Sequence, residues 1–236
     1  MKELIVKFAD IYIKIHTNYD YMFKFCKDYI VNTETYDFEV FPGENYLDIL
    51  SDNQIFSEEY RESISIYEEI GKQLPKINAF IMHGAVITYK DKALMFTAKS
   101  GTGKSTHIKL WKQYFNADVD IVNGDKPIVR FFEDGIKVYG TPYCGKEGWH
   151  KNRSAYLHSI CIVQRGTNNM IQKISSESAI IPLYKQLFIP KDSEEIAGRI
   201  LELFNTLLLN TSVYVLQCNI SSEAVKVAYE GMFHDE

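Results

Sequence analysis

Two runs near the start of the chain, Leu4-Ile5-Val6-Lys7-Phe8 and Ile11-Tyr12-Ile13-Lys14-Ile15, are rich in β-branched residues, and the second partly alternates apolar with polar positions. That pattern predicts strands, so residues 1 to about 50 are expected to form several short ones. From Glu58 to Gln73 the period lengthens: Ile64, Ile66, Tyr67 and Ile70 recur among charges and predict a helix, closed by Gly71 or by Pro75. Strands return at Ala79-Phe80-Ile81-Met82, Ala85-Val86-Ile87-Thr88-Tyr89 and Ala93-Leu94-Met95-Phe96-Thr97, the last two joined as a hairpin at Lys90-Asp91-Lys92. Ile108, Leu110, Trp111 and Tyr114 then follow at roughly helical spacing. Further strands are predicted at 119–123, 127–132, 136–139, 158–164 and 213–217, and helices over Ser176–Phe188, Ser193–Leu209 and Ser221–Met232. Alternating strands and helices make this an α/β chain. The hairpin departs from a simple doubly wound sheet, so a mixed sheet is expected over 76–236. A β-rich N-terminal subdomain with its linking helix precedes it at 1–75.

Composition narrows the function classes. The 236 residues are 46% hydrophobic and 24% charged, with a formal charge of −5, which fits a globular protein and argues against a general nucleic-acid binder. No stretch approaches the roughly 18 apolar residues of a spanning helix, and the N-terminus lacks a long apolar signal region, so no membrane role and a cytoplasmic location are expected. Cys26, Cys144, Cys161 and Cys218 are widely spaced without a C-x-x-C pair, which indicates neither a zinc site nor a redox motif.

The chemistry concentrates at Ala98-Lys99-Ser100-Gly101-Thr102-Gly103-Lys104-Ser105-Thr106. Ala98 stands where the P-loop pattern G-x-x-x-x-G-K-[ST] has its first glycine, while Gly101, Gly103, Lys104 and Ser105 keep the positions that touch phosphate. Residues 100 to 106 are thus expected to bind ATP. Glycines let the backbone curl with its N–H groups inward, a helix starting near Lys104 adds its positive dipole end, Lys104 brings a cation to the β/γ-phosphates, and the Ser105 hydroxyl ligates Mg²⁺. A metal-holding carboxylate is also needed at the end of a neighbouring strand. Asp125 is the candidate, following the strand predicted at 119–123, with Gly124 expected to permit a sharp turn.

The segment 140–153 carries several glycines, a proline and several cations, and predicts either a solvated surface loop or a mobile loop that closes over substrate through Lys146, Glu147, Lys151 and Arg153. His83 lies between two apolar strands and is either a hydrogen-bonded core histidine or a group facing the site, near the γ-phosphate or as a base toward an acceptor hydroxyl. His107 is expected to pack near the nucleotide, His150 is a weaker substrate contact, and Cys144 has no evident base to make it a nucleophile.

Taken together, His83-Gly84, the hairpin leading into Ser100-Gly101-Thr102-Gly103-Lys104-Ser105, and Val122-Asn123-Gly124-Asp125 resemble the HPr kinase/phosphorylase family over about residues 80 to 165. That family shares its P-loop fold with ATP-dependent phosphoenolpyruvate carboxykinase. The resemblance implies such a core and transfer of the γ-phosphoryl of ATP to a serine hydroxyl of a protein or peptide. It places Lys104 on the phosphates and Ser105 and Asp125 around Mg²⁺. It is also similar to kinases encoded with ribosomally made peptides. The family has paired aspartates where this chain has Gly124-Asp125. Either Asp125 serves both purposes, or His83 or another residue supplies the base, or the protein binds nucleotide as a non-catalytic adaptor for a peptide. A small-molecule kinase is the remaining enzymatic alternative, and a homo-oligomer is left open.

Overall fold

The structure is a computed structural model and describes residues 1–44, 46–48, 56–99 and 101–233. At the N-terminus β1 (Lys2–Phe8) and β2 (Ile11–Thr17) pair antiparallel from Lys2↔Thr17 to Phe8↔Ile11. Ala9 and Asp10 between them both take left-handed φ values, 50° and 60°, as a two-residue turn matched to strand twist requires. β3 (Phe38–Val40) runs parallel to β2. A short helix α1 (Tyr21–Phe25), not predicted from the pattern, precedes β3, and α2 (Glu58–Gln73) follows it. The Ser57 hydroxyl caps α2 by accepting from the Tyr60 amide, and Glu58 and Glu59 lie in its first turn, where negative charge suits the helix dipole.

Gly71 does not end this helix. It lies inside α2, where an added Cβ would stand 2.6 Å from the Phe188 ring, so this glycine permits close packing. The chain continues past Gln73 as a tight turn through Pro75 and stops at Asn78, whose φ is 57°.

The rest builds a nine-stranded mixed sheet. Its strands are β4 (Ala79–Ile81), β5 (Ala85–Tyr89), β6 (Lys92–Thr97), β7 (Val119–Asn123), β8 (Ile128–Phe132), β9 (Gly135–Tyr139), β10 (Ser154–Arg165), β11 (Met170–Ile174) and β12 (Ser212–Cys218). The order is β4-β8-β9-β10-β6-β5-β7, with β12 parallel to β10 and β11 outside β12. β10 begins earlier than its apolar run suggests because Ser154–Tyr156 pair antiparallel with β9 before the strand passes on to β6 and β12. β5 and β6 form the expected hairpin around Lys90 and Asp91.

Period two decides which side chains face which layer. Met95, Val122 and Ile160 pack with Leu203, Phe204 and Leu207 of α5 (Glu194–Asn210). Leu94, Phe96 and Cys161 turn the other way, toward Trp111 of α3 (Lys104–Phe115) and Val225 and Ala228 of α6 (Ser222–Phe233). The helix predicted over 176–188 is shorter: α4 spans Ser176–Tyr184 with Pro182 inside it. Beyond it the chain lies along β4, where the Gln186 carbonyl accepts from the His83 amide and the Phe188 amide donates to the Ile81 carbonyl. An exposed row of backbone groups beyond β4 is satisfied in this way.

The N-terminal sheet shares its core with the large one. Val6, Ile13, Ile66 and Ile70 belong to one buried cluster with Ile81, Ile128, Tyr139 and Tyr143. Arg130 donates to the Ala9 carbonyl at 2.6 Å, and the Tyr139 hydroxyl donates to Asp10 at 2.6 Å. No helix among the described residues is long and apolar enough to cross a membrane.

Candidate functional site

β6 delivers the chain to the glycine-rich loop and α3 carries it away. Gly101 and Gly103 have φ of 76° and 118°, and an added Cβ at either would meet no atom within 4 Å. Backbone conformation, not crowding, therefore demands glycine, and the space beside the loop is open. Gly103 is the N-cap of α3 and supplies no side chain to its amides, and the first turn carries no acidic residue. The positive end of a twelve-residue helix is thus left for an anion. Lys104, Ser105 and Thr106 form that first turn. Ser100 lies outside the described residues.

Arg165, at the end of β10, braces the loop by donating Nε–H to the Thr102 carbonyl at 3.0 Å and Nη2–H to the Gly101 carbonyl at 2.5 Å. It also lines a cavity of about 720 Å³ with His83, Thr97, Lys99, Lys185 and Gln186. A second cavity of about 510 Å³ flanks the loop on the side of Thr106, His107 and Leu110. His107, within α3, is buried: Trp111 donates to its Nε2 at 2.9 Å, and burial lowers its pKa to about 4.

Asp125 sits at the C-terminal end of β7, and its position is fixed by side chains rather than by a permissive glycine. The Asn123 carboxamide oxygen accepts from the amides of Asp125 and Lys126, both at 2.8 Å. Its nitrogen donates to the Thr141 carbonyl at 2.9 Å. The chain does bend at 124–125, but Gly124 is not in the left-handed region, so the bend itself does not demand glycine. An added Cβ there would lie 2.6 Å from the Cys144 carbonyl oxygen, and the Gly124 amide donates to the Trp149 carbonyl at 2.8 Å. Segment 140–150 packs directly on this position and leaves no room for a second carboxylate.

Three predicted residues, distant in sequence, come together here. His83 Nε2 is 2.9 Å from Asp125 Oδ1, and Lys104 Nζ is 3.5 Å from the same oxygen and 3.4 Å from His83 Nε2. Their side chains stay reachable, with His83 37%, Asp125 28% and Lys104 12% exposed. His83 Nδ1 faces Gln186 Oε1 at 3.1 Å, so both ring nitrogens are turned to oxygen atoms. Burial pushes the Asp125 carboxyl up, but the hydrogen bond from His83 and the charges of His83, Lys104 and Lys126 outweigh it and hold the pKa below the ordinary carboxylate range. Burial lowers the Lys104 pKa against the opposing pull of Asp125.

The 140–153 residues are divided. Lys146 is exposed and lies with Asp125 around one cavity, whereas Glu147 pairs with Lys109 of α3 at 3.2 Å. Arg153 and Lys151 both hold Asp120, at 2.7 and 2.6 Å, at the end of β7 away from Asp125. Their charges anchor the segment and are not gathered with Lys104. His150 Nδ1 lies 3.1 Å from the Tyr29 hydroxyl. Burial raises the Cys144 thiol pKa, which keeps it a thiol. Arg165 and Gln186 were not singled out in the sequence. Arg165 did carry a signal, as a cation at the C-terminal end of a strand beside the loop, where α/β sheets place ligands; Gln186 carried none.

The donors suit Mg²⁺ held jointly with phosphate oxygens, since a hydroxyl and a carboxylate are hard oxygen ligands and this ion takes few protein ligands. No family model matches the chain, and no curated protein does. A solved structure to which it is similar is the Hpr(Ser) kinase/phosphatase from Coxiella burnetii, at 8% identity and a TM-score of 0.36, covering 66% of this chain and 95% of that one. A similarity of that size assigns neither a family nor an activity.

Proposed function

We propose that the protein is an ATP- and Mg-dependent kinase that transfers the γ-phosphoryl group to a serine hydroxyl of a protein or peptide, with the HPr-kinase-like, carboxykinase-related core that its motifs resemble. The observation that carries this reading is the convergence of Asp125, His83 and Lys104 within 3.5 Å beside a glycine-rich loop and an uncapped helix N-terminus. The amides of 101–106 and the Lys104 ammonium take the phosphates, with Ser100 contributing as the motif implies. Ser105 and Asp125 hold the metal. When bound, Mg²⁺ neutralises charge on the β- and γ-phosphates.

In the transfer, the acceptor oxygen forms a bond to the γ-phosphorus as the bond to the β,γ-bridging oxygen breaks, releasing ADP. The hydroxyl proton passes to Asp125. A carboxylate of lowered pKa is a weak base, but a loose phosphoryl-transfer transition state asks chiefly for positioning and charge neutralisation. His83, with both nitrogens already facing oxygens, is the positioning residue that aims Asp125. Lys146, Glu147 and Arg153 belong to the acceptor side, Lys146 by contact and the other two by holding the segment through Lys109 and Asp120. Within this reading residues 1–75 are the N-terminal subdomain and 76–236 the kinase domain, and ATP and ADP are the nucleotide partners.

A nucleotide-binding adaptor is the second reading, favoured by the exclusion of a carboxylate from position 124. Two variants separate the readings. Lys104→Ala is expected to weaken ATP binding at least tenfold by calorimetry, about 1.4 kcal/mol; equal affinities would remove the loop from nucleotide binding. Asp125→Asn is expected to abolish Mg-dependent phosphorylation in an assay with labelled ATP and a serine-peptide panel while circular dichroism stays unchanged. Retained turnover would take Asp125 out of the reaction, and wild-type ATP binding without any labelled acceptor or ATP turnover would favour the adaptor.

A further inference from the structure

Asp125 also lines a cavity of about 450 Å³ whose lining residues come from both parts of the chain and include neither Lys104 nor the glycine-rich loop. Lys24 and Lys27, from α1 and the turn after it, line it together with Lys126 and Lys146 from the other part of the chain. Asp125 is the one carboxylate among the lining residues. Among the described residues, none of these four ammonium groups has an ion pair or side-chain hydrogen bond. Glu68 and Asp125 feel the charge of Lys126, and Asp28 and Lys27 both act on His150; Glu68 and Asp28 are not among the lining residues.

The floor is rigid and aromatic. Phe25 meets Tyr143 edge-on at 4.9 Å, Tyr143 stacks on Tyr67 at 3.7 Å, and the buried Tyr143 hydroxyl donates to the Ser63 carbonyl at 2.8 Å. A positive chamber with apolar flooring ends at the carboxylate proposed to take the acceptor's proton.

We propose that this chamber is the acceptor subsite and that it selects a peptide whose serine is flanked by Asp or Glu residues. This rests on the kinase reading of the site. The acceptor hydroxyl must reach Asp125 from a side that the nucleotide and its loop do not fill, and this cavity borders Asp125 there. Four cations supplied by separate segments of the chain match several anions along an extended segment better than one compact anion, and charge of this kind draws in oppositely charged ligands and repels like-charged ones.

The test compares two fluorescent serine peptides, one Glu-flanked and one Lys-flanked, for binding by anisotropy and for phosphorylation. The Glu peptide is expected to bind at least tenfold more tightly and to lose that advantage as salt rises. Lys24→Glu with Lys27→Glu should raise KM for the Glu peptide at least tenfold with kcat nearly constant, and leave ATP affinity within twofold. Lys146→Glu, from the other part of the chain, should shift preference in the same direction. Equal affinities for the two peptides, or charge reversals that move neither, would overturn the subsite even where ATP is bound and turned over. Acidic preference lost on reversal, with no phosphorylation of any peptide, would uphold the subsite and count instead against the kinase reading.

Discussion

At Asp125 the ordering of opposed effects matters more than their number. Burial works against the charged carboxylate, yet His83 and two lysines keep it ionised. A group of depressed pKa is charged above that value and loses its charge as pH falls through it, so an activity that needs the carboxylate has its acid limb below the ordinary carboxylate range. His83→Gln removes the largest of the opposing contributions and leaves burial in place. The acid limb of the kcat profile is then expected to move to higher pH; an unmoved limb would mean that His83 does not tune Asp125. Gly124 carries the complementary lesson. An aspartate there would press its Cβ on a backbone oxygen, so the single-carboxylate site is built into the packing of segment 140–150.

The strand-loop-helix element of β6, residues 98–103 and α3 depends on a residue outside it. Arg165 ties two loop carbonyls from the end of β10, and β10 is registered on β6 from Tyr156↔Lys92 to Ile162↔Thr97. Arg165→Ala removes two hydrogen bonds from a charged donor to an exposed loop. The expected result is at least a tenfold loss of ATP affinity by calorimetry with little change in the melting temperature of the ligand-free protein, because few buried contacts are lost. A large fall in that melting temperature would instead make Arg165 a stabiliser of the fold. Both the loop and α3 were legible in the sequence, since the motif and the helical spacing are local. α1 was not, because five residues give too few turns for a period to emerge. Nor was the shortening of α4, where pairing of 186–188 along β4 overrides a continuous helical pattern.

The two sheets are joined through a buried core, and a buried carboxylate ties α2 to the end of β2. Glu62, fully buried in α2, accepts from the Thr17 hydroxyl at 2.5 Å and from the Asn18 backbone and side-chain nitrogens at 2.9 and 2.8 Å. Glu62→Ala leaves those donors without their acceptor at the end of β2 and is expected to cost about 3 kcal/mol, read as a lowered urea midpoint. Circular dichroism and tryptophan fluorescence should fall together in both proteins, because Val6, Ile70, Ile128 and Tyr143 share one cluster. Separate transitions would show that the N-terminal sheet folds on its own.

Local regularities determined much of this protein. Period-two runs give strands because alternate side chains must reach opposite faces of a sheet, and the glycines of the loop are required by backbone φ whatever surrounds them. The strand hairpin, the helix after the loop and the carboxylate near 125 all follow from short stretches of chain. Only the tertiary structure decided which distant groups meet: His83 with Gln186, 103 positions away, Arg165 with the loop, Gly124 with Cys144, and four lysines from two parts of the chain around one cavity. Such meetings depend on strand order and on the way two sheets share a core, and no periodicity along the chain records either.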